Sequence, residues 1–113
     1  MRGRADIGRI VEDTRNRVAG LFPGETVDAV LFGSYARGDA REDSDLDILF
    51  LVNAPREKLA GMDWQLGKIA SDLFMDYQMI VSPLVENRSF YSDRAAVLPF
   101  YQNIQREGIV FHE

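Results

Sequence analysis

Gly33-Ser34, followed after ten residues by Asp45-Leu46-Asp47, is the stretch of this chain whose residue types and spacing suit chemistry. A glycine lets backbone amides approach a polyphosphate closely, and a serine hydroxyl with its neighbouring N–H groups can donate to the phosphate oxygens. Side chains two apart on a strand share a face, so Asp45 and Asp47 would present two carboxylates side by side, with Leu46, Ile48 and Phe50 turned the other way. On a mostly apolar strand such a pair is repulsive and costly to desolvate unless cations neutralise it, and Mg²⁺ suits carboxylate and phosphate oxygens together. The pattern Gly-Ser-x10-Asp-x-Asp arises by chance in about one in several hundred chains of this length. It implies metal-assisted chemistry on a polyphosphate.

Each part also has a plainer reading. Gly-Ser after a strand is an ordinary turn, and an aspartate pair can simply open an edge strand in water. The Lys-Ser or Lys-Thr of a Walker loop is absent, so the cradle would be of another kind. Arg37 could offset phosphate charge or pair with Asp39, Asp43 or Asp45. Aligning and deprotonating a hydroxyl near two metals calls for a third carboxylate. Asp76, read as the start of a third strand, is the candidate, and Asp72 the weaker rival. His112, near the carboxyl end, is assigned no role.

The elements that must position these residues follow from apolar period. Ile7, Ile10, Val11, Val18 and Leu21 mark a helix over the first twenty or so residues, ended by Pro23-Gly24. Val27 to Phe32 reads as a strand running into Gly33-Ser34, residues 37–44 as a loop, and Asp45 to Val52 as a second strand. Leu59, Met62, Leu66, Ile69 and Leu73 mark a helix from Pro55 to Leu73, bordered by Trp64. Met75 to Val81 alternates as a third strand stopped by Ser82-Pro83, with Asp76, Gln78 and Ile80 on one face. An irregular stretch follows. Leu98 to Arg106 then forms a helix with Pro99 in its first turn and Gly108 past its end, and Ile109 to Phe111 a short edge strand. The expected architecture is one α/β domain over residues 1–113, a small sheet covered by helices.

Composition narrows the partners. With 46% apolar and 27% charged residues among 113, the chain has the balance of a globular protein. No run reaches the roughly 20 apolar residues of a membrane span and no secretory signal is visible, so a cytoplasmic location is expected. The absence of cysteine removes thiol catalysis and thiolate metal sites, leaving carboxylates and a hard cation such as Mg²⁺. A net charge of −5 argues against tight binding to a long nucleic acid. Arg2, Arg4, Arg9, Arg15 and Arg17 crowd the amino-terminal helix, as a solvated face or as a docking surface for an acidic partner.

GSYARGDAREDSDLDILF, residues 33–50, resembles the signature of the polymerase-beta-like nucleotidyltransferase superfamily. The short chain, the helix before the first strand and NIQREGIVF at residues 103–111 are similar to its minimal branch, antitoxins found beside HEPN-domain toxins. The resemblance implies a mixed or antiparallel sheet flanked by helices, Gly33 and Ser34 on the triphosphate, and Asp45, Asp47 and Asp76 as an acidic triad. Asp45 and Asp47 would hold two Mg²⁺ ions, and Asp76 would help to hold one while positioning the acceptor hydroxyl. It further implies AMP transfer from ATP to a tyrosine of a HEPN-type RNase toxin, in a hetero-oligomer with it. The competing readings are an antitoxin that neutralises by binding alone, and transfer to a small molecule such as an aminoglycoside, whose enzymes resemble this domain joined to a further helical one. A glycosyltransferase Asp-x-Asp site would leave the Gly-Ser spacing unexplained.

Overall fold

The computed structural model describes residues 4–111. Helix α1 (Arg4–Ala19) leads to strand β1 (Asp28–Phe32), a single turn α2 (Ser34–Arg37) and strand β2 (Leu46–Val52). Helices α3 (Arg56–Leu59) and α4 (Asp63–Tyr77) cross to β3 (Val81–Asn87), and α5 (Arg88–Arg94), α6 (Pro99–Glu107) and β4 (Ile109–Phe111) complete the chain. The sheet order is β3-β2-β1-β4, with β2 antiparallel to β1, β1 antiparallel to β4, and β2 parallel to β3. The expected mixed sheet flanked by helices is present. Among the described residues no helix is long and apolar enough to cross a membrane.

Strand alternation divides the core in two. Leu46, Ile48, Phe50 and Val52 of β2 are buried against the α1 stripe of Ile7, Ile10, Val11 and Val18 and against Leu73 of α4. The opposite face carries Leu49 and Leu51 of β2 with Val30 of β1, covered by Tyr91 of α5 and Ile104 of α6. Asp47 shares this second face, at the end where β1 stops and β2 begins, opposite Phe32.

The third strand departs from expectation. The helical stripe Leu66, Ile69, Leu73 continues to Tyr77, and all four pack on the main core, so the 3.6-residue period overrides the short alternation from Met75. Gln78, at φ 53°, ends the helix in the left-handed conformation. The strand then starts at Val81 and runs through Ser82 and Pro83 instead of stopping there. Pro83 is tolerated because β3 is the sheet's outer strand, where one side of the backbone needs no partner. Two smaller corrections follow. The helix expected from Pro55 to Leu73 is two helices broken around Gly61, and Trp64 is 75% exposed rather than bordering the buried stripe. Residues 88–94, read as irregular, form α5, whose amino terminus is capped by the Asn87 side chain accepting from the Phe90 amide at 2.9 Å.

A buried carboxylate ties α6 to β3. Glu86, 5% exposed, accepts from Tyr101 Oη at 2.5 Å, from Arg56 Nε at 3.0 Å and from the Asn87 amide at 2.8 Å. The Arg56 guanidinium also lies 3.6 Å from the Phe90 ring centre. Removing the carboxylate strands Tyr101 Oη and leaves Arg56 without its acid, but Arg56 is half exposed and water can take it back. Glu86→Ala is therefore expected to cost about 2–3 kcal/mol, and Tyr101→Phe about 1 kcal/mol. Denaturant unfolding of the two variants checks this, and equal losses would refute the bridging role of Glu86.

Candidate active site

The turn between β1 and β2 builds one wall of a cleft. Gly33 caps α2 at φ 75° and ψ −156°, a region essentially closed to residues with a Cβ. Built there, a Cβ would run into the Asp47 carboxylate, 3.3 Å from its Cγ. The backbone therefore passes directly beside Asp47, and Ser34 opens the helical turn next to it. Gly38, at φ 84°, closes that turn by donating its amide to the Ser34 carbonyl at 3.0 Å.

A cleft of about 510 Å³ brings together Gly33, Ser34, Arg37 and Asp47 with Phe100 and Glu107 of α6. That volume lies in the range of small-molecule sites. Burial, and then the charge of Asp45, pushes the Asp47 carboxyl above the usual carboxylate range, while Arg37 pulls it partly back. Asp45 is exposed just before β2 and reaches Asp47 through its charge; it is not part of the cleft wall. Arg37 is held by two long ion pairs, Nε to Asp39 at 3.4 Å and Nη1 to Glu107 at 3.6 Å. Such partly exposed pairs contribute little and are readily exchanged for a phosphate.

Asp76 is not brought to this group. It sits in the last turn of α4 with its side chain half exposed, accepting from Arg17 Nη2 at 2.6 Å. Arg17 also holds Asp13, which with the Tyr77 hydroxyl fastens α1 to the end of α4. The Arg17 hydrogen bond keeps Asp13 below its ordinary value despite burial. The position on β3 level with Asp47 belongs to Ser82. The physical reason is the longer helix: with strand entry delayed to Val81, Asp76 lies short of the sheet. Asp72, the weaker rival, pairs with Lys68 on the outside of α4. Asp76→Asn is accordingly expected to leave the transfer rate within about twofold and to lower stability by less than about 1 kcal/mol, as for an exposed ion pair. A rate assay beside a melting curve checks this, and a hundredfold loss of rate would return Asp76 to the site. His112 lies outside the described residues.

Phe100, Asn103, Ile104 and Glu107 were not anticipated as wall residues, although their i, i+3, i+4, i+7 spacing on the last helix was a readable signal of one face. The first helix is less available than its arginines suggested. Arg15 is buried beside Glu12 and Arg17 is committed to Asp13 and Asp76.

No group of three or more acidic or histidine side chains that could hold a metal occurs among the described residues. The two-carboxylate set still fits Mg²⁺, which is commonly held by one or two carboxylates plus the substrate's own phosphates. A strand pair ending in a glycine-serine turn beside Asp47, with Asp45 just outside the cleft, suits a polyphosphate bound with a divalent ion. The family model of the nucleotidyltransferase domain matches residues 11–94. Two relatives are both named "Putative protein adenylyltransferase" and both come from Methanocaldococcus jannaschii. One is 25% identical over 104 residues, covering 92% of this chain and 96% of the relative; the other is 35% identical over 89 residues, covering 76% and 74%. The chain belongs to the nucleotidyltransferase domain family, and it is a nucleotidyltransferase.

Proposed function

We propose that this chain transfers AMP from ATP to a hydroxyl of a partner protein. The observation that carries this reading is the convergence of Ser34, Arg37 and Asp47 on one cleft, with Asp45 beside it. The choice of AMP and of a protein acceptor is supported by the names of the two relatives. A tyrosine of a HEPN-type RNase toxin as acceptor, with an antitoxin role, rests on the resemblance of residues 33–50 and 103–111.

Asp45 and Asp47 would hold the divalent ion against the triphosphate, and Arg37 would exchange its long pair with Glu107 for a phosphate oxygen. The Ser34 hydroxyl donates to the leaving pyrophosphate. Bound there, the ion would supply charge neutralisation at the α-phosphate and at the leaving oxygens. The acceptor oxygen bonds to the α-phosphorus as the bond from that phosphorus to pyrophosphate breaks, and the acceptor's proton passes to water, since Ser82 rather than a third carboxylate stands level with Asp47 on β3. On β3, level with Asp47 and Leu49, Ser82 is half-buried and Leu84 is 40% exposed, so the aspartates can be approached from the side away from the cleft.

The test is incubation of purified protein with Mg²⁺, labelled ATP and the protein encoded beside it, followed by gel autoradiography and mass spectrometry of the acceptor. A mass increase of one or more AMP groups on a hydroxyl side chain supports the reading. Transfer from no nucleoside triphosphate to any protein or small acceptor overturns it. If Asp45→Asn and Asp47→Asn variants neutralise a toxin as well as the parent, neutralisation comes from binding rather than chemistry.

A further inference from the structure

We infer that Phe100 and Asn103 form the nucleobase subsite of the cleft, with Phe100 as the stacking surface and Asn103 reading an adenine edge. This rests on the nucleotide reading above and extends it beyond the family match, which ends at residue 94, to Phe100 and to Asn103, the first residue of the segment 103–111, neither of which was given a role from the sequence.

The two walls of the cleft differ in chemistry. Gly33, Ser34, Arg37 and Asp47 supply a close backbone, a hydroxyl, a cation and a carboxylate, which suit a metal-bound polyphosphate. The α6 side supplies Phe100, Asn103 and Ile104, one aromatic, one amide and one aliphatic side chain, and one turn further on Glu107, which is paired with Arg37 at 3.6 Å. A flat, apolar-faced ring with hydrogen-bonding edges matches that wall, and a second phosphate would not.

Phe100 is 51% exposed yet held in place. Its ring meets Phe32 edge to face, with centres 5.7 Å apart and planes at 87°, and lies 5.8 Å from Tyr101, itself anchored on Glu86. A fixed, half-open aromatic in a nucleotide-sized cleft is a ready stacking surface for a base. The neighbouring amide is also oriented. Arg106 Nη2 donates to Asn103 Oδ1 at 2.8 Å, and since arginine only donates, the oxygen end is identified. Nδ2 is left as a donor, and the second lone pair of Oδ1 as an acceptor. That is the two-point pattern by which asparagine pairs with adenine N7 and N6, whereas the O6 of guanine would face Oδ1 acceptor to acceptor.

The experiment measures Mg²⁺-supported binding of ATP, GTP and inorganic tripolyphosphate to the full chain by calorimetry. Phe100→Ala is expected to weaken ATP about ten- to hundredfold and leave tripolyphosphate unchanged. Phe100→Leu, which keeps apolar packing on Phe32, should lose ATP in the same way, and Phe100→Tyr should restore it. The parent should prefer ATP to GTP by about tenfold or more, and Asn103→Ala should bring the two within about threefold. Equal losses for ATP and tripolyphosphate would overturn the subsite, because Phe100 would then only support the fold. Undiminished ATP binding with loss of transfer would overturn it too, placing the acceptor on Phe100. In both cases nucleotide binding by the parent stands, whereas a parent that binds neither ATP nor tripolyphosphate fails the functional reading itself.

Discussion

Asp47→Asn is expected to abolish transfer, by at least about a thousandfold, while raising the melting temperature of the metal-free protein at neutral pH. The rate loss follows from removing one of the two carboxylates proposed to hold the divalent ion, whose charge would supply several kcal/mol of stabilisation to the reacting phosphates. The gain in stability follows from the same carboxylate being ill-placed in the absence of an ion. Burial and the charge of Asp45 raise its pKa above 3.8 in the folded chain. The folded state therefore binds the proton more tightly than the unfolded one, and stability falls as pH rises from the ordinary carboxylate value through the raised one. Above that window the full penalty applies, and asparagine removes it. The difference in melting temperature between variant and parent should shrink as pH is lowered toward 4 and should reverse at neutral pH when Mg²⁺ and ATP are added, since only the parent gains from them. For the parent, apparent Mg²⁺ affinity should weaken as pH falls into the same window, because the ion competes with a proton. An asparagine variant that transfers within tenfold of the parent would refute the role of Asp47.

How far the residues alone led is visible at the same site. Gly33, Ser34, Arg37 and Asp47 lie within fifteen consecutive residues, joined by one turn between paired strands, so local pattern sufficed to place them together. The helices and strands around them announced themselves through unbroken periods, as in Ile7 to Val18 and in Leu46 to Val52. β3 did not, because the proline inside it reads as a stop although its outer position in the sheet removes the cost of Pro83, and because the short alternation from Met75 to Val81 gave no sign of the left-handed turn at Gln78. Misplacing that strand displaced Asp76 with it. The α6 wall was hidden for another reason: Phe100 and Asn103 reach the cleft because α6 packs on β1 and β4 pairs with β1, and that juxtaposition of chain ends has no local signal. Gly108 makes the turn possible, since a Cβ there would meet Val30 Cγ1 at 2.6 Å.

Gly33→Ala is the second large effect, and a matched control comes from within the same turn. Gly33 and Gly38 both have positive φ, 75° and 84°. At Gly38 the conformation is left-handed helical and a Cβ meets nothing within 4 Å, so Gly38→Ala should cost about 1 kcal/mol in stability and leave transfer nearly intact. At Gly33 the added carbon is strained by a ψ of −156° and also runs into the Asp47 carboxylate, which must turn away. Gly33→Ala should therefore lose about 1–3 kcal/mol and at least about a hundredfold in transfer, with Mg²⁺ binding weakened alongside. The collision also predicts a coupling: in an Asp47→Ala background the stability cost of Gly33→Ala should shrink toward the backbone strain alone. Thermal unfolding of the four proteins of that cycle measures it. Additive losses, or equal damage to transfer from Gly33→Ala and Gly38→Ala, would mean that glycine at 33 serves the turn and not the carboxylate beside it.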